Sequence, residues 1–104
     1  MRKFHFLLRA KALVAFPGGF GTFDELFEVL TLRQTKRMRD IPIIMFGREF
    51  WTHVVNFQYL ADQGMIDDND LDLFRYAETA EQAWEMIQQF HKRYGTDNSE
   101  AEII

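Results

Sequence analysis

The sequence predicts an α/β domain, a parallel sheet with helices on both faces that is truncated to about three strands. Three observations lead there. Short apolar runs alternate with longer amphipathic stretches along the 104 residues. The two clearest runs, Ala12-Leu13-Val14-Ala15-Phe16 and Ile43-Ile44-Met45-Phe46, are apolar at every position, as parallel strands are when helices cover both faces. A glycine-rich stretch, Pro17-Gly18-Gly19-Phe20-Gly21-Thr22, joins the first run to an amphipathic one, which makes the strand-turn-helix junction of a Rossmann-like parallel sheet.

Residues 2–11 set Phe4, Leu7 and Leu8 at helical spacing among Arg2, Lys3, Arg9 and Lys11, so a short helix leads into the first strand, 12–16. Pro17 stiffens the chain and ends that strand. The second helix runs from Thr22 to about Met38, with Phe23, Leu26, Phe27 and Leu30 in one apolar stripe and Val29 and Leu32 in another. A helix apolar on two sides is buried on two sides, so this one is expected to pack on the sheet and against another chain. Lys36 to Asp40 reads as a basic helix end and a loop, after which Pro42 opens the second strand, 43–46, and Gly47 closes it. A third helix over about 48–61, stopped by Gly64, is expected to bury Phe50, Trp51, Val54, Phe57 and Tyr59 or Leu60. Asp67 to Asp72 is an acidic turn that lacks the glycine and the distal glutamate of an EF-hand loop. Leu73 to Ala77 is the third strand. Thr79-Ala80-Glu81-Gln82 looks like a capping box and opens a last helix carrying Ala83, Trp84, Ile87 and Phe90 or His91 to Gly95. The domain thus spans 1–95, and 96–104, polar until its last two residues, is expected to be a flexible tail.

The glycine stretch carries the chemistry. Glycines at 18, 19 and 21 permit positive φ and remove the Cβ atoms that keep a ligand off the backbone. Consecutive N–H groups can then converge on an anion, backed by the partial positive charge of the helix that follows. Without a ligand the same stretch is a tight strand-to-helix turn. Thr22 and Glu25 also have the spacing of a capping box, so Glu25 either returns to the helix N-terminus or faces a ligand. The turn is not G-x-G-x-x-G, and no acidic residue ends the strand after Phe46, which argues against a dinucleotide module. Arg33 and Gln34 either reach a site across a dimer interface or face solvent. Trp51, Trp84 and the phenylalanines read as core or interface packing.

Composition narrows the partners. A net charge of −4 with no Lys/Arg block longer than two residues gives no electrostatic footprint for nucleic acid or an anionic membrane. The absence of cysteine excludes a disulfide framework and a thiolate metal site. His5, His53 and His91 share no metal-ligand spacing, so no metal is expected. No apolar run approaches the roughly 18 residues that span a bilayer. A cytoplasmic location is the expectation.

Pro17-Gly18-Gly19-Phe20-Gly21-Thr22-Phe23-Asp24-Glu25 matches the motif PGGxGTxxE, by which the chain resembles the LOG family. That family is named for the "Lonely guy" cytokinin-activating enzymes, also labelled possible lysine decarboxylases. It carries an Arg-Lys pair fifteen positions before the motif's proline, and Arg2 stands fifteen positions before Pro17. Downstream, Leu26 to Thr35 resembles the family's long helix with its Thr and Gln. The resemblance implies a phosphoribohydrolase, which cleaves the N-glycosidic bond of a nucleoside 5′-monophosphate to free base and ribose 5-phosphate. It implies that Arg2 and Glu25 are the catalytic pair and that Gly18, Gly19, Gly21 and Thr22 hold the 5′-phosphate. The substrate would be an AMP-like or cytokinin nucleotide, the assembly a homodimer or higher homo-oligomer, and no cofactor would be needed. The decarboxylase label finds no pyridoxal-phosphate lysine in its usual setting.

Family members run to about twice this length, so the resemblance covers their C-terminal half. A doubly wound domain normally has five or six strands. The half that is missing supplies the first strands and another glycine-rich loop. A rival expectation follows, that of a catalytically inactive half-domain that binds nucleotide or phosphate and acts only as an oligomer.

Overall fold

Alternation along a strand divides even an all-apolar run between two faces. Leu13, Ala15, Ile43 and Met45 enter one core, Ala12, Val14 and Ile44 the other. These residues belong to β1, Ala12–Ala15, and β2, Ile43–Phe46. The computed structural model describes residues 11–94 and 101–104, and in it β3, Arg75–Ala77, and β4, Ala101–Ile103, complete one sheet. All strands run parallel in the order β3-β2-β1-β4, with Leu13 opposite Ile43 and Ile44 opposite Arg75. The short helix expected over 2–11 lies, apart from Lys11, outside the described residues.

The α/β architecture and the three expected strands are therefore present, and a fourth joins them. The reading of 96–104 as a flexible tail is corrected for 101–103: Ala101 lies opposite Ala12 and Ile103 opposite Val14. Beyond that pairing, Ile104 N–H donates to Val14 O at 2.8 Å and Phe16 N–H to Ile104 O at 2.9 Å. The physical reason is the second edge of β1. Its backbone donors and acceptors need partners wherever the strand is buried, and a short parallel strand supplies them.

The first helix, α1, runs Phe20–Gln34 and buries Leu26, Val29 and Leu32 on the sheet. It starts before Thr22 and stops well before Met38. The stop is a Schellman turn: Lys36, at φ 58°, donates its N–H to Arg33 O at 3.2 Å, and Arg37 N–H reaches Leu32 O at 2.8 Å. Both apolar stripes of α1 are met from within the chain: Val29 and Leu32 are buried, and the stripe of Phe23, Leu26, Phe27 and Leu30 is partly covered. The Phe27 ring lies 6.3 Å from Phe57, and Phe23 and Leu30 pack against the same core.

The expected helix over 48–61 is two helices, α2, Arg48–Val54, and α3, Phe57–Asp62. Asn56 divides them, its Oδ1 accepting the Tyr59 N–H at 3.0 Å as an N-cap. Of the side chains expected to be buried there, Trp51 and Phe57 are, Phe50 and Leu60 sit at the margin, and Val54 and Tyr59 are exposed. Trp51 is the pivot of this face. It is fully buried, donates Nε1–H to Phe46 O at 3.1 Å, and meets the edges of Phe50 and Phe23 at 5.2 and 5.4 Å.

The acidic turn is a 3-10 helix, Asp68–Leu73, with a reciprocal cap between Asp67 and Asp70. It closes the same face as α1, α2 and α3. The opposite face is covered by α4, Ala80–Tyr94, through Ala83 and Ile87, with His91 buried one turn further on. The Thr79 cap is present: Gln82 N–H donates to Thr79 Oγ1 at 3.1 Å, while Gln82 Oε1 accepts the Glu78 N–H at 2.8 Å. Trp84, read as packing, is half exposed. No described helix is long and apolar enough to cross a membrane.

Candidate functional site

The glycine turn leaves β1 at its C-terminal end, the rim where open parallel sheets bind ligands. None of its glycines has positive φ; among the described residues only Gly47, Gly64 and Lys36 do. The positive φ that these glycines permit is therefore not used here. Gly18 is required by contact, because a Cβ there would overlap Thr22 Oγ1 and lie 3.0 Å from Thr22 Cβ. Gly19 and Gly21 have nothing within 4 Å of the Cβ position, so their effect is to leave the space over the backbone open.

The helix begins earlier than a Thr22 cap would allow. Gly19 is the N-cap and has no side chain to offer, and the first intrahelical bond runs from Phe23 N–H to Gly19 O at 3.1 Å. The N–H groups of Phe20, Gly21 and Thr22 thus have no partner within the helix. This overturns the capping-box reading of Thr22 and Glu25, since Thr22 sits inside the first turn. Thr22 and Glu25 are three residues apart and share a face of α1. Both are half-buried, and neither side chain makes a hydrogen bond or ion pair among the described residues. Arg2 lies outside the described residues.

Two aromatic features at this rim carry no sequence signal of their own. Phe16 and Phe46, at the ends of β1 and β2, stack at 4.8 Å between centroids. Phe20, the variable position of the glycine stretch, is 92% exposed. The neighbouring turn after β2 touches the first one, for the Cβ position of Gly47 lies 3.4 Å from Pro17 Cγ. There Gly47 N–H donates to Ala77 O at 2.9 Å and Arg48 N–H to a Glu78 carboxylate oxygen at 2.8 Å. The Arg48 guanidinium lies over the Tyr76 ring, 5.2 Å from its centroid. Burial pushes the Tyr76 phenol up, and Arg48 partly offsets it.

Of Arg33 and Gln34, Gln34 is exposed, as the solvent-facing alternative expects, and Arg33 is mostly covered. Arg33 donates to Ile41 O and pairs with Asp40 at 3.5 Å, while Gln34 Nε2 donates to Asp70 Oδ2 at 2.7 Å. Both tie the end of α1 to the chain's own loops. His53 turns Nδ1 to Glu49 O at 2.7 Å, and His91 meets the Phe90 ring at 5.8 Å. Among the described residues no group of His, Asp and Glu could hold a metal ion.

A family model described as "Possible lysine decarboxylase" matches residues 1–87. Among curated proteins, none matches the chain. The matched span begins before β1, takes in the glycine turn and all of α1, and ends within α4. With most of its length covered by that model, the chain belongs to the possible lysine decarboxylase family, the LOG family that its PGGxGTxxE motif resembles.

Proposed function

We propose that this chain carries the site of a nucleoside 5′-monophosphate phosphoribohydrolase, which it forms as a homodimer or higher homo-oligomer. One observation carries the reading: unsatisfied N–H groups at the head of α1 stand one helical turn before Glu25, and Thr22 and Glu25 are unengaged among the described residues. The 5′-phosphate binds at Gly18, Gly19, Gly21 and Thr22, where backbone N–H groups and the helix dipole act on the same anion. Three residues along α1 advance about 4.5 Å, comparable to the span from a 5′-phosphate to the anomeric carbon. Glu25 then faces the sugar. As the C–N bond breaks, oxocarbenium charge builds on the ribose, and the carboxylate stabilises it and orients the water that adds to the anomeric carbon. The departing base nitrogen takes up a proton. Arg2 is the second catalytic group in this reading, holding the substrate by its fixed fork of donors.

The open side of the turn supports the oligomer. Among the described residues Phe20 is 92% exposed and nothing lies within 4 Å of the Cβ positions of Gly19 and Gly21, which leaves room for a second copy to wall the nucleotide. The same openness favours the rival, a half-domain that holds phosphate and turns nothing over. Chromatographic detection of free base and ribose 5-phosphate from a panel of nucleoside 5′-monophosphates separates the two. The parent is expected to release base and Glu25→Ala to lose at least 100-fold in rate, in the range for a positioned carboxylate. Ribose 5-phosphate binding without base release by the parent establishes the inactive half-domain instead.

A further inference from the structure

At the opposite end of the strands from the glycine turn, a groove of about 790 Å³ opens beside the start of β2 at Pro42, Ile43 and Ile44. Its volume lies within the roughly 300–1,000 Å³ of small-molecule sites. Three separate elements send an arginine to it: Arg33 from the end of α1, Arg75 from the first position of β3 and Arg93 from the last turn of α4. Gln89 adds an amide and Phe90 a ring, and Asp72 is the one acidic side chain among the described lining residues.

The arginines are not equivalent. Arg33 is committed to Ile41 O and Asp40. Arg93 answers, in part, the carbonyl end of its own helix. Arg75 stands on a strand with no helix end to answer. Among the described residues neither Arg75 nor Arg93 makes a hydrogen bond or ion pair, not even to Asp72 in the same groove. Two guanidinium forks without protein partners, facing one cavity in a chain of net charge −4, are a local reversal of the molecule's field. Guanidinium recognises phosphate oxygens bidentately.

We propose that this groove is a second binding site, for a small phosphate polyanion: pyrophosphate, or the diphosphate of a nucleotide whose base lies against Phe90. Arg75 and Arg93 grip the phosphates, Gln89 donates to them, and Asp72 sets an upper limit on affinity by repelling them. The site is independent of the phosphoribohydrolase reading, because it shares no residue with the glycine turn.

The test is titration of the full chain with pyrophosphate, with ADP and with adenosine, followed by calorimetry and by phosphorus NMR line width. In a Gly19→Asp background, where a carboxylate closes the glycine turn to anions, one-to-one binding of pyrophosphate is expected, weakened by added salt and at least tenfold by Arg75→Gln with Arg93→Gln. Both side chains are exposed and unpaired, so circular dichroism melting should show the variant folded. Asp72→Asn should tighten binding several-fold, which a merely structural role for these arginines would not produce. Tighter binding of ADP than of pyrophosphate, with none of adenosine, assigns the nucleotide form; equal binding assigns the inorganic one. No pyrophosphate binding, or binding abolished by Gly19→Asp and untouched by the arginine pair, overturns the proposal.

Discussion

Two strand-to-helix turns lie side by side at the rim of this sheet, and they use glycine for different ends. After β1, the glycines at 18, 19 and 21 keep negative φ, leave their backbone open and present the unsatisfied head of α1. After β2, a single glycine, Gly47, turns the chain at φ +90°, and its N–H and the next are already bonded to Ala77 O and Glu78. The first turn keeps its donors for something outside the described fold. The second uses them to lock β2 to β3. A glycine in the first is therefore about access, and in the second about conformation.

The comparison can be broken by substitution. The largest effect is expected from Gly18→Ala, whose methyl group must displace the Thr22 side chain; a loss of about 1–3 kcal/mol in urea unfolding is expected, as for overpacking, together with weaker ribose 5-phosphate binding. Gly47→Ala should cost about 1–2 kcal/mol, because an L-residue is strained at that φ, yet leave ribose 5-phosphate affinity within twofold of the parent. Equal loss of binding in both variants would dissolve the distinction. The smallest change in stability is expected from Gly21→Ala, and its sign is opposite. It lies inside α1 with open space at the Cβ position, so alanine should raise stability by about 0.5–1 kcal/mol. The new Cβ tilts toward the helix N-terminus and into the proposed anion site, so ligand affinity should fall while the melting temperature rises. A gain in both would remove Gly21 from the site.

Much of this was legible in the residues. Every position of 43–46 is apolar because β2 has helices over both faces, and that local pattern located the strand to the residue. The glycine stretch was legible as a strand-to-helix turn, and it does join β1 to α1. The capping-box reading failed for a reason of register. Thr22 and Glu25 have the right spacing, but the helix starts at Phe20 with Gly19 as its cap, and spacing alone does not say which residue is first. Asn56 was missed as the divider of α2 and α3 because one capping side chain interrupts an apolar pattern without changing its period. The arginine groove had no sequence signal at all. Arg33, Arg75 and Arg93 are far apart in the chain and meet only when three elements converge.

The sequence by itself determined the alternation of strand and helix, the parallel sheet and the place of the glycine turn, since these follow from local periodicity and from backbone freedom at a few positions. Tertiary structure decided the rest. It paired Ala101–Ile103 with the free edge of β1, which three residues without periodicity cannot announce. It covered part of the Phe23, Leu26, Phe27 and Leu30 stripe of α1 with Phe57 of the same chain, where two apolar sides had pointed to a second molecule as well. The physical reason is the same in each case: a hydrogen-bonding edge, an apolar stripe or a lone cation specifies that a partner is needed, and only the folded chain specifies which one it meets.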